Sequence, residues 1–148
     1  MTTRNLSQRE LEILEFKRKE YEKIGKNLDK ILEAKDLQER IERLKQKYYA
    51  YVESKDRRDR KAFKLCGIAL AKKIGRILGY KDYMDIPFFE IPECLYKLDN
   101  HYRFDPTLSL EKLYQEIKAA YEKIKDWELN DPRLLMPRWQ ERFLAQKL

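Results

Sequence analysis

The sequence predicts an all-α fold: a long N-terminal helix with a coiled-coil-like seam, followed by a compact C-terminal helical part. Three observations carry that prediction. Lys, Glu, Leu and Ile recur at helical spacing along the 148 residues. Charged residues make up 40%, while only 4 Gly and 5 Pro interrupt the chain, too few for a loop-rich barrel or a low-complexity tail. A narrow two-in-seven apolar seam then runs through the first third, as in a coiled coil or helical hairpin. The length suits one domain, or a domain with an extended arm. The division expected is an arm over 1–53 and a helical domain over 54–148.

The arm opens on Leu6-Ser7-Gln8-Arg9-Glu10-Leu11. Ser7 can accept from the Glu10 amide while the Glu10 carboxylate reaches back to the Ser7 amide, a capping box. Leu6 and Leu11 stand at the positions of a hydrophobic staple. The seam runs Leu14, Tyr21, Ile24, Leu28 and Ile31, then Ala34, Leu37, Ile41, Leu44, Tyr48 and Tyr51. Its register slips by one residue between Ile31 and Ala34. Either the helix continues with a local change in winding, or it breaks and Asp36-Leu37-Gln38-Glu39 caps a second helix. No Gly or Pro lies between Leu28 and Tyr51, which favours continuity. A helix from Gln8 to Val52 would be about 68 Å long at roughly 1.5 Å per residue. The rest of the chain could not cover it, so the Leu14–Tyr51 seam is expected to bind a second copy of the chain or another protein.

The next helix is expected over about Asp56 to Leu78. Its second half is apolar nearly all round (Phe63, Leu65, Cys66, Ile68, Leu70, Ile74 and Ile77), which predicts burial. Gly67, Ala71 and Gly75 are spaced by four and predict a groove where another helix approaches closely. Gly79 is a natural C-terminal stop. Residues 80–105 form an aromatic connection interrupted by Pro87 and Pro92, with a short helix expected near Glu93 to Leu98. Leu110, Leu113, Ile117, Tyr121, Ile124 and Trp127 then make a clean amphipathic stripe, ended by Asn130-Asp131-Pro132. A final short helix carries Trp139 and Phe143 on one face.

Enzyme chemistry is not expected. Cys66 and Cys94 stand apart in apolar stretches and read as reduced, buried thiols. His101, the one histidine, supplies a single ligand where structural zinc wants four, and no serine sits in a nucleophile elbow. No metal site and no cofactor are implied. The longest apolar run, Leu65 to Ala71, is far shorter than the ~18 residues of a membrane span. Met1 to Ser7 lacks the apolar core of a signal peptide. A cytoplasmic protein with no membrane partner is expected.

The net charge is +7, and its placement is uneven. Residues 54–79 carry nine Lys/Arg against two Asp/Glu, as much net charge as the whole chain. A localised basic patch suits a polyanionic partner. Arg57, Arg60, Lys61 and Lys64 share one helix face and, with Arg58, are the candidate phosphate contacts for DNA or RNA. The plainer reading is a solvated helix start neutralised by Asp56 and Asp59. A basic helix start also opposes the helix dipole, which favours a purpose beyond stability. Tyr48 and Tyr51 lie at seam positions and should pack, leaving Tyr49 freer. With Tyr83, Phe88 and Phe89 of the aromatic connection, Tyr49 is the candidate surface for a protein partner.

The run Arg57-Arg58-Asp59-Arg60-Lys61-Ala62-Phe63-Lys64-Leu65-Cys66-Gly67-Ile68-Ala69-Leu70 resembles the motif of TraD/MobC-type conjugal mobilisation accessory proteins. In that family a charged coiled-coil helix leads into an Arg/Lys cluster, then apolar residues around a single Gly. The likeness covers residues 57–70 and the helical layout before them; the chain from Tyr80 onward has no counterpart in it. It implies a relaxosome component that helps a relaxase process plasmid DNA without enzyme chemistry of its own. The function expected is therefore a non-catalytic, dimeric helical accessory protein acting on nucleic acid or its processing machinery. The alternative is an adaptor or inhibitor that grips another protein through the seam and the aromatic connection.

Overall fold

A computed structural model describes residues 6–87, 107–133 and 135–146, and every regular element among them is helical. In chain order they are α1 (Gln8–Asn27), the single turn α2 (Lys30–Glu33), α3 (Asp36–Ser54), α4 (Arg57–Ile77), a 3-10 turn (Tyr83–Asp85), α5 (Leu110–Leu129) and α6 (Pro137–Ala145). The fold class is the one expected. The short helix anticipated near Glu93 to Leu98, and with it Phe88, Phe89, Cys94 and His101, lies outside the described residues.

The capping box forms at the start of α1: the Glu10 amide donates to Ser7 Oγ and the Ser7 amide to Glu10 Oε1, both at 3.1 Å. The N-terminal helix is not continuous, however. After Asn27 the ladder gives way to tighter bonds, Ile31 N to Leu28 O and Leu32 N to Asp29 O, each 3.1 Å. Ala34 then leaves the helical region altogether, at φ −83° and ψ 86°. The bend falls where the seam slips register, and it turns both Ile31 and Leu37 fully into the core. Helix α5 holds it in place. The Tyr114 hydroxyl donates to the Asp29 carboxylate, and the Leu110 amide donates to Gln38 Oε1 at 3.1 Å.

Because the arm bends, the chain covers its own seam. Tyr21, Ile24, Ile31, Leu37, Ile41 and Leu44 are fully buried in one core that runs from Ile13 to Phe143. Helices α3 and α4 form an antiparallel hairpin: Lys73, late in α4, pairs with Asp36 at the start of α3 (3.4 Å), and the Tyr48 ring meets Phe63 edge-on at 5.5 Å. On α1, Phe16 packs edge-on against Trp139 (6.0 Å) and Phe143 (5.6 Å) of α6, while the Tyr121 hydroxyl of α5 donates to the Tyr21 carbonyl at 3.0 Å. The expectation of a 68 Å seam left for a second copy is corrected: what α1 to α3 offer outward is their opposite, largely polar face.

Helix α4 also departs from its expectation. Its inward side is Phe63, Gly67, Leu70, Ala71 and Ile74, but Leu65 is 55% exposed and Ala69 is exposed too. It is a two-faced outer helix, because α3 and the core meet only one side of it. It ends in a Schellman motif, with Tyr80 N bonded to Gly75 O (2.9 Å) and Gly79 N to Arg76 O (3.1 Å). Gly79 sits at φ +99°, a conformation glycine reaches without strain.

The close approach expected along Gly67, Ala71 and Gly75 is made at Gly75 by the 3-10 turn. A Cβ there would lie 3.0 Å from Tyr83 Cα and Cβ. That turn is held from α6 by Arg138, which donates to Asp82 and Asp85, and by Trp139 Nε1 on Asp85 O (2.7 Å). Gly75→Leu is therefore expected to destabilise the fold by about 1–3 kcal/mol through overpacking. Gly75→Ala should fall near neutral, since about 1 kcal/mol of helix propensity offsets the crowding. Urea midpoints for the two variants check this; a Leu variant as stable as wild type would show that the turn yields.

Candidate nucleic-acid interface

The tip of the α3–α4 hairpin is built by short polar contacts. Lys55 takes a left-handed conformation at φ 56°, ending α3, and Asp56 caps α4 by accepting from the Arg58 amide at 2.8 Å. The Ser54 hydroxyl donates to the Asp59 carboxylate and accepts from the Asp56 amide at 3.1 Å. The only two acids of residues 54–79 are thus engaged in shaping the turn.

All five candidate cations, Arg57, Arg58, Arg60, Lys61 and Lys64, are exposed. Arg58, its side chain 94% exposed, reaches Asp56 only at 3.9 Å. No ion pair among the described residues joins Arg57, Lys61 or Lys64 to an acid. The patch thus keeps a positive excess, with Asp56 and Asp59 as the only acids beside its five cations in the sequence.

The antiparallel pairing adds cations that sequence position does not suggest. Arg40, Arg43 and Lys47 of α3 stand close enough to Cys66 of α4 for their charges to act on its thiol. Burial pushes the Cys66 thiol up and the three cations pull the other way, burial prevailing, so the thiol form is favoured. Arg40 shares Asp36 with Lys73, whereas Arg43 and Lys47 are exposed and have no acidic partner among the described residues.

The partner-binding candidates separate. Tyr49 is 53% exposed and leans edge-on against Tyr48 at 5.6 Å, which itself rests on Phe63; Tyr51 is buried. Tyr83 is half-buried, packed against the core beside Gly75. Phe88 and Phe89 lie outside the described residues.

Two charged groups that the seam pattern hides are buried in the structure. Lys17 is fully buried and donates to the carbonyls of Glu128 (3.1 Å) and Asp131 (2.8 Å), neutralising the free C-terminal end of α5. Burial lowers its pKa, with Glu128 and Asp131 opposing the shift. Glu20 accepts from the Tyr80 hydroxyl (2.8 Å) and pairs with Arg142 (2.7 Å) and Lys23 (3.2 Å). The Arg142 guanidinium lies within 6 Å of the Phe16, Tyr80 and Trp139 ring centroids, so the rings stabilise the part of its charge that Glu20 does not meet. Both oxygens of Glu20 are taken, and the cluster ties α1, α6 and the end of α4 together. The sequence signal was the seven-residue step from Leu14 to Tyr21, which skips the turn that Phe16, Lys17 and Glu20 fill.

Among the described residues no three His, Cys, Asp or Glu side chains converge where they could hold a metal, and no helix is long and apolar enough to cross a membrane. No family model, no curated protein and no solved structure matches the chain.

Proposed function

We propose that the chain is a non-catalytic, cytoplasmic helical accessory protein that binds nucleic acid, or acts with the machinery that processes it, through the start of α4. The observation that carries this reading is a cluster of five exposed cations whose two neighbouring acids are occupied in the hairpin turn. Such a cluster gains free energy by displacing counterions from a phosphate backbone. The resemblance of residues 57–70 to TraD/MobC-type proteins makes plasmid mobilisation, within a relaxosome, the biological setting of this proposal.

Converting Arg57, Arg60, Lys61 and Lys64 together to Gln tests it. Binding to DNA or RNA should weaken across sequences, and its salt dependence should flatten by up to about four contacts. Folding should be little changed, because all four side chains are exposed. Anisotropy titrations at several salt concentrations read both quantities. Equal binding by the variant and wild type, or no binding by either at low salt, removes this reading.

A second reading is favoured by one feature. Tyr49 and Val52, one turn apart on α3, are both about half exposed, and Tyr49 is braced from behind by Tyr48. An anchored aromatic beside an aliphatic suits a protein partner, whose binding energy concentrates in such residues and is less salt-sensitive. On that reading the chain is an adaptor or inhibitor. Tyr49→Ala would then abolish partner capture while leaving the stability of the fold intact.

A further inference from the structure

Resting on the nucleic-acid reading above, we infer that this site grips a double-stranded backbone by its phosphates and does not read unpaired bases, and that Arg43 and Lys47 of α3 form a second row of contacts. The first row is on α4. Arg58, Lys61, Lys72 and Arg76, at spacings of three, eleven and four, share one stripe that adjoins the face of Arg57, Arg60 and Lys64 at Lys61, and all seven cations are exposed. From Arg58 to Arg76 the stripe is about 27 Å long at roughly 1.5 Å per residue, a little short of one duplex turn of about 34 Å.

The second row lies beside it. The antiparallel pairing that sets Lys73 beside Asp36 and Phe63 beside Tyr48 brings the Arg43–Lys47 turn of α3 alongside Cys66, and packed helices are separated by about 8–10 Å. Between the rows lie Ala62, Cys66 and Ala69, which share a face at spacings of four and three. These side chains are small and offer no ring on which a base could stack.

Sites for single strands combine cations with exposed aromatic platforms. The aromatics of this hairpin do not serve that purpose on the cationic face. Tyr51 and Phe63 are buried, and Tyr48 is spent against Phe63. Tyr49 is exposed, but it is two residues from Lys47, which places it about 200° round the helix, on the other side of α3.

The test is anisotropy with the full chain against three probes of one sequence: a DNA duplex of about two turns, the matching RNA duplex, and the single DNA strand. At least one duplex should bind about ten-fold tighter than the single strand at matched salt. The double variant Arg43→Gln/Lys47→Gln should lose about ten-fold in duplex affinity at low salt and flatten the salt slope by about two contacts, with an unchanged thermal melt. Tyr49→Ala should leave duplex binding as it is. Single-strand binding as tight as duplex binding, an unchanged slope in the double variant, or loss of duplex binding in Tyr49→Ala would each overturn this inference and leave nucleic-acid binding standing. Failure of all three probes to bind would overturn both.

Discussion

Trp139→Ala is expected to be the most damaging single substitution in the chain. Trp139 is fully buried, edge-on to Phe16 at 6.0 Å and Tyr21 at 5.8 Å, and its Nε1 donates to the Asp85 carbonyl at 2.7 Å. It joins α1, α6 and the 3-10 turn at one point. Removing a large core aromatic costs about 3–5 kcal/mol, and the stranded Asp85 carbonyl adds about 1 kcal/mol or more. At this chain length each kcal/mol moves Tm by roughly 2–4 °C, so a fall of roughly 10–15 °C is expected. Trp139→Phe keeps a ring between Phe16 and Tyr21 and loses mainly the hydrogen bond, so its effect should be about half as large. Urea unfolding at an unchanged m value separates this loss from a change in the unfolded state. A loss under about 1 kcal/mol for Trp139→Ala would mean that α6 does not close the core.

How far the fold could be read in advance depended on whether a feature was local. The Ser7–Glu10 box and the Gly79 stop need only neighbours a few residues away, and both form as the pattern implies. The seam was legible as a stripe, but spacing does not say which surface covers it. That was decided by the bend at Ala34, which depends on Tyr114 and Leu110, more than seventy residues further on. Lys17 and Glu20 were illegible for a related reason. A charged side chain in a helical pattern reads as solvent-facing until its distant partners are known, here two α5 carbonyls for one and Tyr80 with Arg142 for the other.

The candidate site divides the same way. The exposure of Arg57, Arg58, Arg60, Lys61 and Lys64 followed from local charge density and from their place at a helix start. That Asp56 and Asp59 are taken up by the turn did not, because a carboxylate near a cation in sequence is equally free to cap a helix. Arg43 and Lys47 come beside α4 only through the antiparallel pairing, so they entered no sequence window centred on the basic run. Tyr49, singled out because its seam neighbours should pack, is indeed the exposed member of the three tyrosines.

Stability should fall steeply in alkali, because two phenols are buried where they resist ionisation. Tyr21 is fully buried and donates to Glu128 Oε2 at 2.7 Å; Tyr80 is buried and donates to Glu20 Oε2 at 2.8 Å. Burial pushes both pKa values far above the ordinary tyrosine value of about 10, and the accepting carboxylates push further by repelling a phenolate. For Tyr80 the Arg142 charge opposes the shift without reversing it. A group whose folded pKa is raised holds its proton in the native state after the unfolded chain has released it. Its contribution is intact below about pH 10 and declines as pH rises, by about 1.4 kcal/mol per pH unit for each group. Lys17 works with the opposite sign: its lowered pKa makes stability rise with pH until about 10.5, above which both states have lost the proton and its effect is constant. From about pH 10.5 to 12 the two tyrosines act alone among these three, and roughly 4 kcal/mol should be lost, a large share of the roughly 5–15 kcal/mol that stabilises a domain. Urea unfolding at a series of alkaline pH values reads the slope directly. Tyr21→Phe should lower it by about 1.4 kcal/mol per pH unit, leaving the shares of Tyr80 and of Tyr114, whose hydroxyl donates to Asp29 and whose pKa is also raised. Ultraviolet titration of the folded protein should find at least Tyr21 and Tyr80 of the ten tyrosines silent until the chain unfolds. A flat unfolding free energy above about pH 10.5, or all ten phenols ionising before unfolding, would show that Tyr21 and Tyr80 are open to solvent.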